Sequence, residues 1–126
     1  QVVLPLLKTD LLEIMEAIID GHLADIEIDW YDKAAACIVM ASGGYPVSYT
    51  KGYEISGIQD ANAMDETFVY HAGTKKADGK YFTNGGRVLG VTSLGTDLDK
   101  ALSKAYSAVN KISFTDAHYR RDIGIK

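Results

Sequence analysis

The sequence predicts an α+β fold, a small twisted β-sheet or barrel-like arrangement with a packed helix, and three patterns predict it. Apolar residues recur at helical spacing in two places, from Leu11 to Ile19 and from Leu98 to Val109. Between them lie several short apolar runs, bounded by Gly, Pro, Asn or Asp. The resulting order is one helix, several short strands, a second helix and a last extended piece, which is the order of an α+β domain.

Taken in sequence, Gln1 to Leu7 is an apolar lead-in, and Pro5 fits an irregular or edge segment better than a central strand. Asp10 is placed to cap the first helix, with Glu13 three residues on to close a capping box. Leu11, Ile14, Met15, Ile18 and Ile19 share one face, and Asp20-Gly21 ends the helix. From Ile26 the period becomes two. Ile26, Ile28 and Trp30 alternate with Glu27 and Asp29, which predicts a half-buried strand. Asp32-Lys33 turns the chain, and the continuous apolar run Ala34 to Ala41 predicts a buried strand. Ser42-Gly43-Gly44-Tyr45-Pro46 and Tyr49 to Gly52 form a Gly- and Tyr-rich loop whose bare N–H groups could receive an anion. It lacks the Gly-Lys-Ser/Thr ending of a P-loop, and no helix follows it. Lys51 to Ile55 is a short strand and Ile58 to Glu66 a polar surface excursion. Thr67 to His71 is a strand with Phe68 and Tyr70 on one face and Val69 and His71 on the other.

Ala72 to Lys80 reads as a hairpin connection with Asp78-Gly79 as its turn pair, and Tyr81 to Thr83 returns as a strand. The stretch Asn84-Gly85-Gly86-Arg87-Val88-Leu89-Gly90-Val91-Thr92 carries the predicted site. Gly85 and Gly86 have no Cβ, so backbone can pass close to a ligand and positive φ is admitted. Arg87 then sets a planar fork of donors at the entrance of a strand, suited to a bidentate grip on phosphate or carboxylate. A hairpin corner followed by a surface arginine has the same local pattern. What singles out this one is its company: Lys75, Lys76 and Lys80 lie just upstream and make the one basic region of an acidic chain. The last helix has Thr96 as its expected cap, Asp97 and Asp99 at its positive end, and a stripe of Leu98, Ala101, Leu102, Ala105 and Val109. Ile112 to Phe114 is a short extended piece, and Tyr119 to Gly124 is a polar tail with adjacent Arg120 and Arg121.

With 126 residues, 47% hydrophobic and 24% charged, the chain is one ordinary soluble domain, or a small domain with part of another. Its net charge of −4 argues against nucleic acid and anionic membranes, which need a basic field. No apolar run approaches the roughly 20 residues of a membrane span. No signal peptide is read at Gln1, and the missing initiator methionine marks a fragment or a cleaved chain. Cys37 has no partner within the chain, so a reducing compartment, the cytoplasm, is expected. Inside its apolar run it reads as a small core residue rather than a nucleophile. His22, His71 and His118 have no ligand spacing, so no metal site is expected, and no catalytic residue is assigned.

Gln1 to Leu7, Met40 to Pro46, Lys51-Gly52-Tyr53, His71 to Thr74, Thr83 to Thr92 and Tyr119 to Gly124 agree in order and spacing with one family. Through them the chain resembles, over essentially its whole length, the C-terminal part of the phosphoribosylamine–glycine ligases, or glycinamide ribonucleotide synthetases. The resemblance implies an ATP-grasp enzyme of de novo purine biosynthesis. Such an enzyme forms glycyl phosphate from ATP and glycine, and the amine of 5-phosphoribosylamine attacks it. Residues 1–24 would then be the tail end of the ATP-grasp domain, including its last helix, and residues 25–126 the C-terminal domain. ATP and Mg2+ would be bound by domains that precede Gln1, leaving no cofactor in this segment and no activity in the segment alone. The implied partners are the substrates and the rest of the ligase chain.

In related purine-pathway ATP-grasp enzymes a Gly-x-Arg-Arg/Lys-x-Gly stretch and an upstream lysine hold the ribose 5-phosphate. Gly85-Gly86-Arg87-Val88-Leu89-Gly90 resembles that stretch, with Arg87 as its first cation and Val88 in place of the second. Lys75 is the best match to the upstream lysine, with Lys76 and Lys80 as alternatives. Arg120 and Arg121 are candidates for the charge that Val88 does not supply. Two other readings compete. A biotinyl- or lipoyl-type carrier needs a lysine on an exposed hairpin tip, commonly beside Met or Ala, and Lys75 and Lys80 have no Met neighbour. A stand-alone interaction domain needs no site at all.

Overall fold

The computed structural model describes residues 1–125. Among them the helices are α1 (Leu11–Ile19), α2 (Ile58–Asn62) and α3 (Leu98–Val109). The strands are β1 (Ala34–Ala41), β2 (Glu54–Ile55), β3 (Thr67–His71), β4 (Thr74–Ala77), β5 (Lys80–Thr83) and β6 (Arg87–Gly95). They form two antiparallel three-stranded sheets, ordered β1-β6-β3 and β2-β5-β4. The α+β expectation and its packed helix therefore hold.

β6 is the central strand of the first sheet and is buried from Val88 to Gly95. It needs both neighbours to satisfy its backbone groups and a cover for its apolar side chains. α3 supplies that cover. Ala101, Ala105, Ala108 and Val109 join Ile38 and Met40 of β1 and Leu89 and Val91 of β6 in one core. Small alanines let the helix lie close on the sheet, and its start is fixed by Asp97, whose carboxylate accepts the Lys100 N–H at 2.8 Å. That cap stands one residue later than the expected Thr96.

Several segments differ from the sequence reading. Ile26 to Trp30 joins no sheet: only Trp30 makes an isolated bridge, to Leu7, and Ile28 and Trp30 are exposed. Alternation marks a face, whereas a strand also needs a neighbour to pair with. The expected surface excursion from Ile58 contains α2, with Ile58 and Ala61 buried. A helix that short shows too few turns for its period to be read. The expected hairpin connection is itself paired, since β4 runs back along β5 through Asp78 and Gly79, both at positive φ as a type I′ turn requires. The apolar face of α1 exists but is largely uncovered: Met15, Ile18 and Ile19 are 50–82% exposed and Leu11 38%, Ile14 is half-buried, and only Ala17 is buried.

Candidate functional site

The site begins with a bulge. In the β1–β6 ladder Leu89 stands opposite Met40 and Arg87 opposite Ala41, so Val88 is an extra residue on β6. Strict alternation would put Arg87 on the buried face with Leu89 and Val91. The extra residue turns it over, to the outer face where Val39 opposes Gly90. Val88 goes into the core, fully buried, and its carbonyl accepts from the N–H groups of Ala72 and Gly73 at 3.0 and 3.2 Å. A cation at position 88 would be buried without a partner, which accounts for the valine there.

Gly85 and Gly86 precede the bulge. Neither takes positive φ; space is what excludes a side chain. A Cβ on Gly86 would run into the Tyr45 ring, and one on Gly85 would lie 2.9 Å from the Gly73 Cα. Ser42, the residue after β1, donates its N–H to the Gly86 carbonyl and its hydroxyl to the Gly85 carbonyl, both at 2.8 Å.

Above this turn opens a cleft of about 620 Å³, lined among others by Gln1, Val39, Tyr45, Gly73, Gly86 and Arg87. Arg87 is exposed, and among the described residues its guanidinium has no hydrogen-bond or ion-pair partner. Gln1 closes one side: its Oε1 accepts from the Cys37 thiol at 3.3 Å and its carbonyl from the Thr92 hydroxyl at 2.9 Å. Cys37 thus lies half-buried on the outer face rather than in the core. An unpaired guanidinium beside bare backbone and an aromatic ring offers a fork of donors and an apolar wall, chemistry suited to an oxyanion carried on an organic group.

The other predicted cations lie elsewhere. Lys75 is exposed on β4, opposite Phe82 in the second sheet, and Lys76 sits with its Nζ 5.4 Å from the centre of the Tyr81 ring. Lys80 pairs with Glu54 at 3.0 Å. Arg120 grips Asp122 with two donors, at 2.8 and 2.6 Å, and holds that carboxyl below the usual range. Arg121 lies 5.6 Å over Tyr119. Of the six predicted site residues only Gly86 and Arg87 line the cleft, with Gly85 packed beneath them. The sequence reading named no role for Tyr45, Ser42 or Gln1. Tyr45 and Ser42 stood in a loop marked for its composition, and Gln1 carried no signal. His71 hydrogen-bonds Thr74 at 2.9 Å through Nδ1 and packs on Tyr81. No group of three or more acidic, His or Cys side chains among the described residues could hold a metal ion.

Residues 35–126 match the family model of the phosphoribosylglycinamide synthetase C domain. The chain belongs to that family. It is 50% identical over 123 residues to the phosphoribosylamine–glycine ligase of Caldanaerobacter subterraneus subsp. tengcongensis, an alignment covering 98% of this chain and 29% of the relative. It is also 50% identical over 127 residues to the trifunctional purine biosynthetic protein adenosine-3 of Gallus gallus, covering all of this chain and 13% of that protein. The crystal structure of phosphoribosylamine–glycine ligase from Thermotoga maritima superposes with a TM-score of 0.67 at 32% identity, over 86% of this chain and 27% of that one. The chain thus spans less than a third of the bacterial ligase it matches, and within this family it corresponds to the C-terminal part. The match to a C domain removes the carrier reading, and Lys75 lies inside β4 rather than at the Asp78-Gly79 tip.

Proposed function

We propose that this chain serves an ATP-dependent carbon–nitrogen ligase that joins glycine to 5-phosphoribosylamine in purine biosynthesis, and that its cleft holds the substrate's 5-phosphate. The single observation that carries the reading is Arg87: an unpaired guanidinium, turned outward by a bulge, over a cleft floored by glycine backbone. In this proposal Lys75, exposed on β4 two residues beyond the cleft-lining Gly73, is a second, point-charge contact, while Arg120, held by Asp122, and Arg121, over Tyr119, stand outside the grip. Residues 1–24 belong to the preceding ATP-grasp portion. Their support is the bare apolar face of α1 and the start of the family match at residue 35. ATP and Mg2+ are held, in this proposal, by the longer part of the ligase that the chain does not span. No helix of the described residues is long and apolar enough to cross a membrane, and the cytoplasm is the proposed location.

A phosphate lies far from the reacting amine, so its grip acts mainly as uniform binding. A charge-assisted bidentate contact contributes about 1.5–3 kcal/mol, roughly ten- to a hundredfold. In the full-length ligase, Arg87→Ala should raise KM for phosphoribosylamine by that factor and leave KM for ATP and glycine unchanged. Arg87→Lys should recover only part, because lysine keeps the charge and loses the fork. Steady-state kinetics with each substrate varied in turn decides it. Equal losses for all three substrates would reject the assignment.

A further inference from the structure

We infer that Ser42 is a positioning residue for the phosphate grip, holding the Gly85-Gly86 turn so that Arg87 meets its ligand preset; this rests on the reading of Arg87 above. A Gly-Gly pair has no side chains to fix it and more backbone freedom than any other pair. Left alone it would let the next residue wander, and the ordering cost would fall on binding. Ser42 removes that freedom at two consecutive peptide groups, through its N–H to Gly86 and its hydroxyl to Gly85.

Ser42 is itself only 2% exposed and does not line the cleft, so it acts through the turn and not on the ligand. It is anchored in turn. The preceding residue, Ala41, exchanges both backbone hydrogen bonds with His118, at 2.8 and 3.0 Å. The following residue, Gly43, packs so tightly on Asp116 that a Cβ there would lie 2.5 Å from the Asp116 Cβ. The latch therefore has a rigid footing in the chain after α3. On its other side the turn is held by Gly73, whose carbonyl accepts the Asn84 N–H at 2.8 Å. Arg87 is left as the free end of a clamped segment.

The test is a double-mutant cycle in the full-length ligase. Ser42→Ala removes the hydroxyl bond and leaves the N–H bond, so KM for phosphoribosylamine should rise roughly three- to tenfold, with KM for ATP and glycine unmoved. In an Arg87→Ala background the same substitution should add nothing, because the residue it positions is gone. Ser42→Cys, close in size but a weaker donor, should fall between wild type and Ser42→Ala, and it keeps the experiment readable should the alanine variant fail to fold. Equal multiplicative losses in both backgrounds would overturn the inference and assign Ser42 to stability alone. A selective Arg87→Ala with silent Ser42 variants would overturn the latch and leave the phosphate reading standing. An unselective Arg87→Ala would overturn both.

Discussion

Gly86 and Gly73 both exclude a Cβ, but they exclude it against different neighbours, and the difference decides what a methyl group would do. At Gly86 the obstacle is the Tyr45 ring, a half-buried side chain that can swing away. At Gly73 it is backbone: the Arg87 carbonyl oxygen at 2.5 Å and the Gly85 Cα at 2.7 Å. Gly86→Ala should therefore move Tyr45 into the cleft with little change in melting temperature, and in the full-length ligase, on the proposed reading, raise KM for phosphoribosylamine. Gly73→Ala should force the β3–β4 junction off the turn and destabilise by about 1–3 kcal/mol, the usual cost of overpacking. Urea unfolding of the two variants side by side checks this, and equal loss in both would show that the Tyr45 ring is as immovable as backbone. At this scale the sequence was informative about chemistry and silent about direction. Gly-Gly-Arg announced a donor fork on bare backbone. Nothing in Val88 marks it as a bulge, because a valine in a strand and a valine in a bulge read alike.

Among the elements, the joint that ties β1 to α3 runs through Glu66. Its carboxylate accepts from Lys33, just ahead of β1, and pairs with Lys104 of α3 at 3.5 Å. Its backbone, at φ 52°, sits in the left-handed region, and its carbonyl takes the Leu94 N–H at 3.0 Å. The hydrogen bond from Lys33 foremost, with both lysine charges adding, holds the Glu66 carboxyl below its ordinary value, and the Lys33 ammonium is raised in return. A carboxylate whose folded pKa is depressed stabilises the fold above its ordinary pKa and loses that contribution as pH falls through the depressed value. Glu66→Gln should thus lower the melting temperature slightly at neutral pH, since the groups are partly solvated. The gap to wild type should close in acid, where the wild-type carboxylate is also neutral. A gap that persists unchanged through the carboxylate range would point to packing instead of charge. The elements themselves were legible where they are long or capped: α1, β1, β3 and α3 stand where periodicity put them. α2 was missed because its buried pair, Ile58 and Ala61, lies in a run rich in polar residues. The Ile26 to Trp30 run alternates as a strand does, but its pairing with the lead-in stops at a single bridge, Trp30 to Leu7, a tertiary fact that keeps it out of both sheets.

At the scale of the molecule, the two ends of the chain play unequal parts. As a piece, the chain should not release ADP from ATP and glycine, because phosphoryl transfer depends on metal and phosphate positioning that the proposal places in the part of the ligase this chain does not span. Turnover at the rate of an intact ligase would refute that. A sharper expectation concerns the first 24 residues. The buried cluster that unites both sheets with α3 contains no residue before Ala36. α1 buries Ala17 alone, and its closest packed element is the short turn Leu23–Asp25 that follows it. The lead-in touches the first sheet through Gln1, which meets Cys37 and Thr92, and otherwise pairs with the stretch ahead of β1: Leu6 accepts the Tyr31 N–H at 2.8 Å, Leu7 bridges Trp30, and Lys8 and Thr9 donate to the Asp29 carbonyl. Apolar burial dominates folding free energy, so removing residues 1–24 takes away little of what holds residues 25–126 together. A chain of residues 25–126 should unfold in one cooperative transition with a midpoint close to that of the whole segment. Its outer sheet face, losing the Gln1 cover over Gly90, should bind more of a hydrophobic dye. Calorimetry of both lengths tests this. A truncated chain without a cooperative transition would show that residues 1–24 belong to the fold of this segment and would overturn the proposed boundary at residue 25.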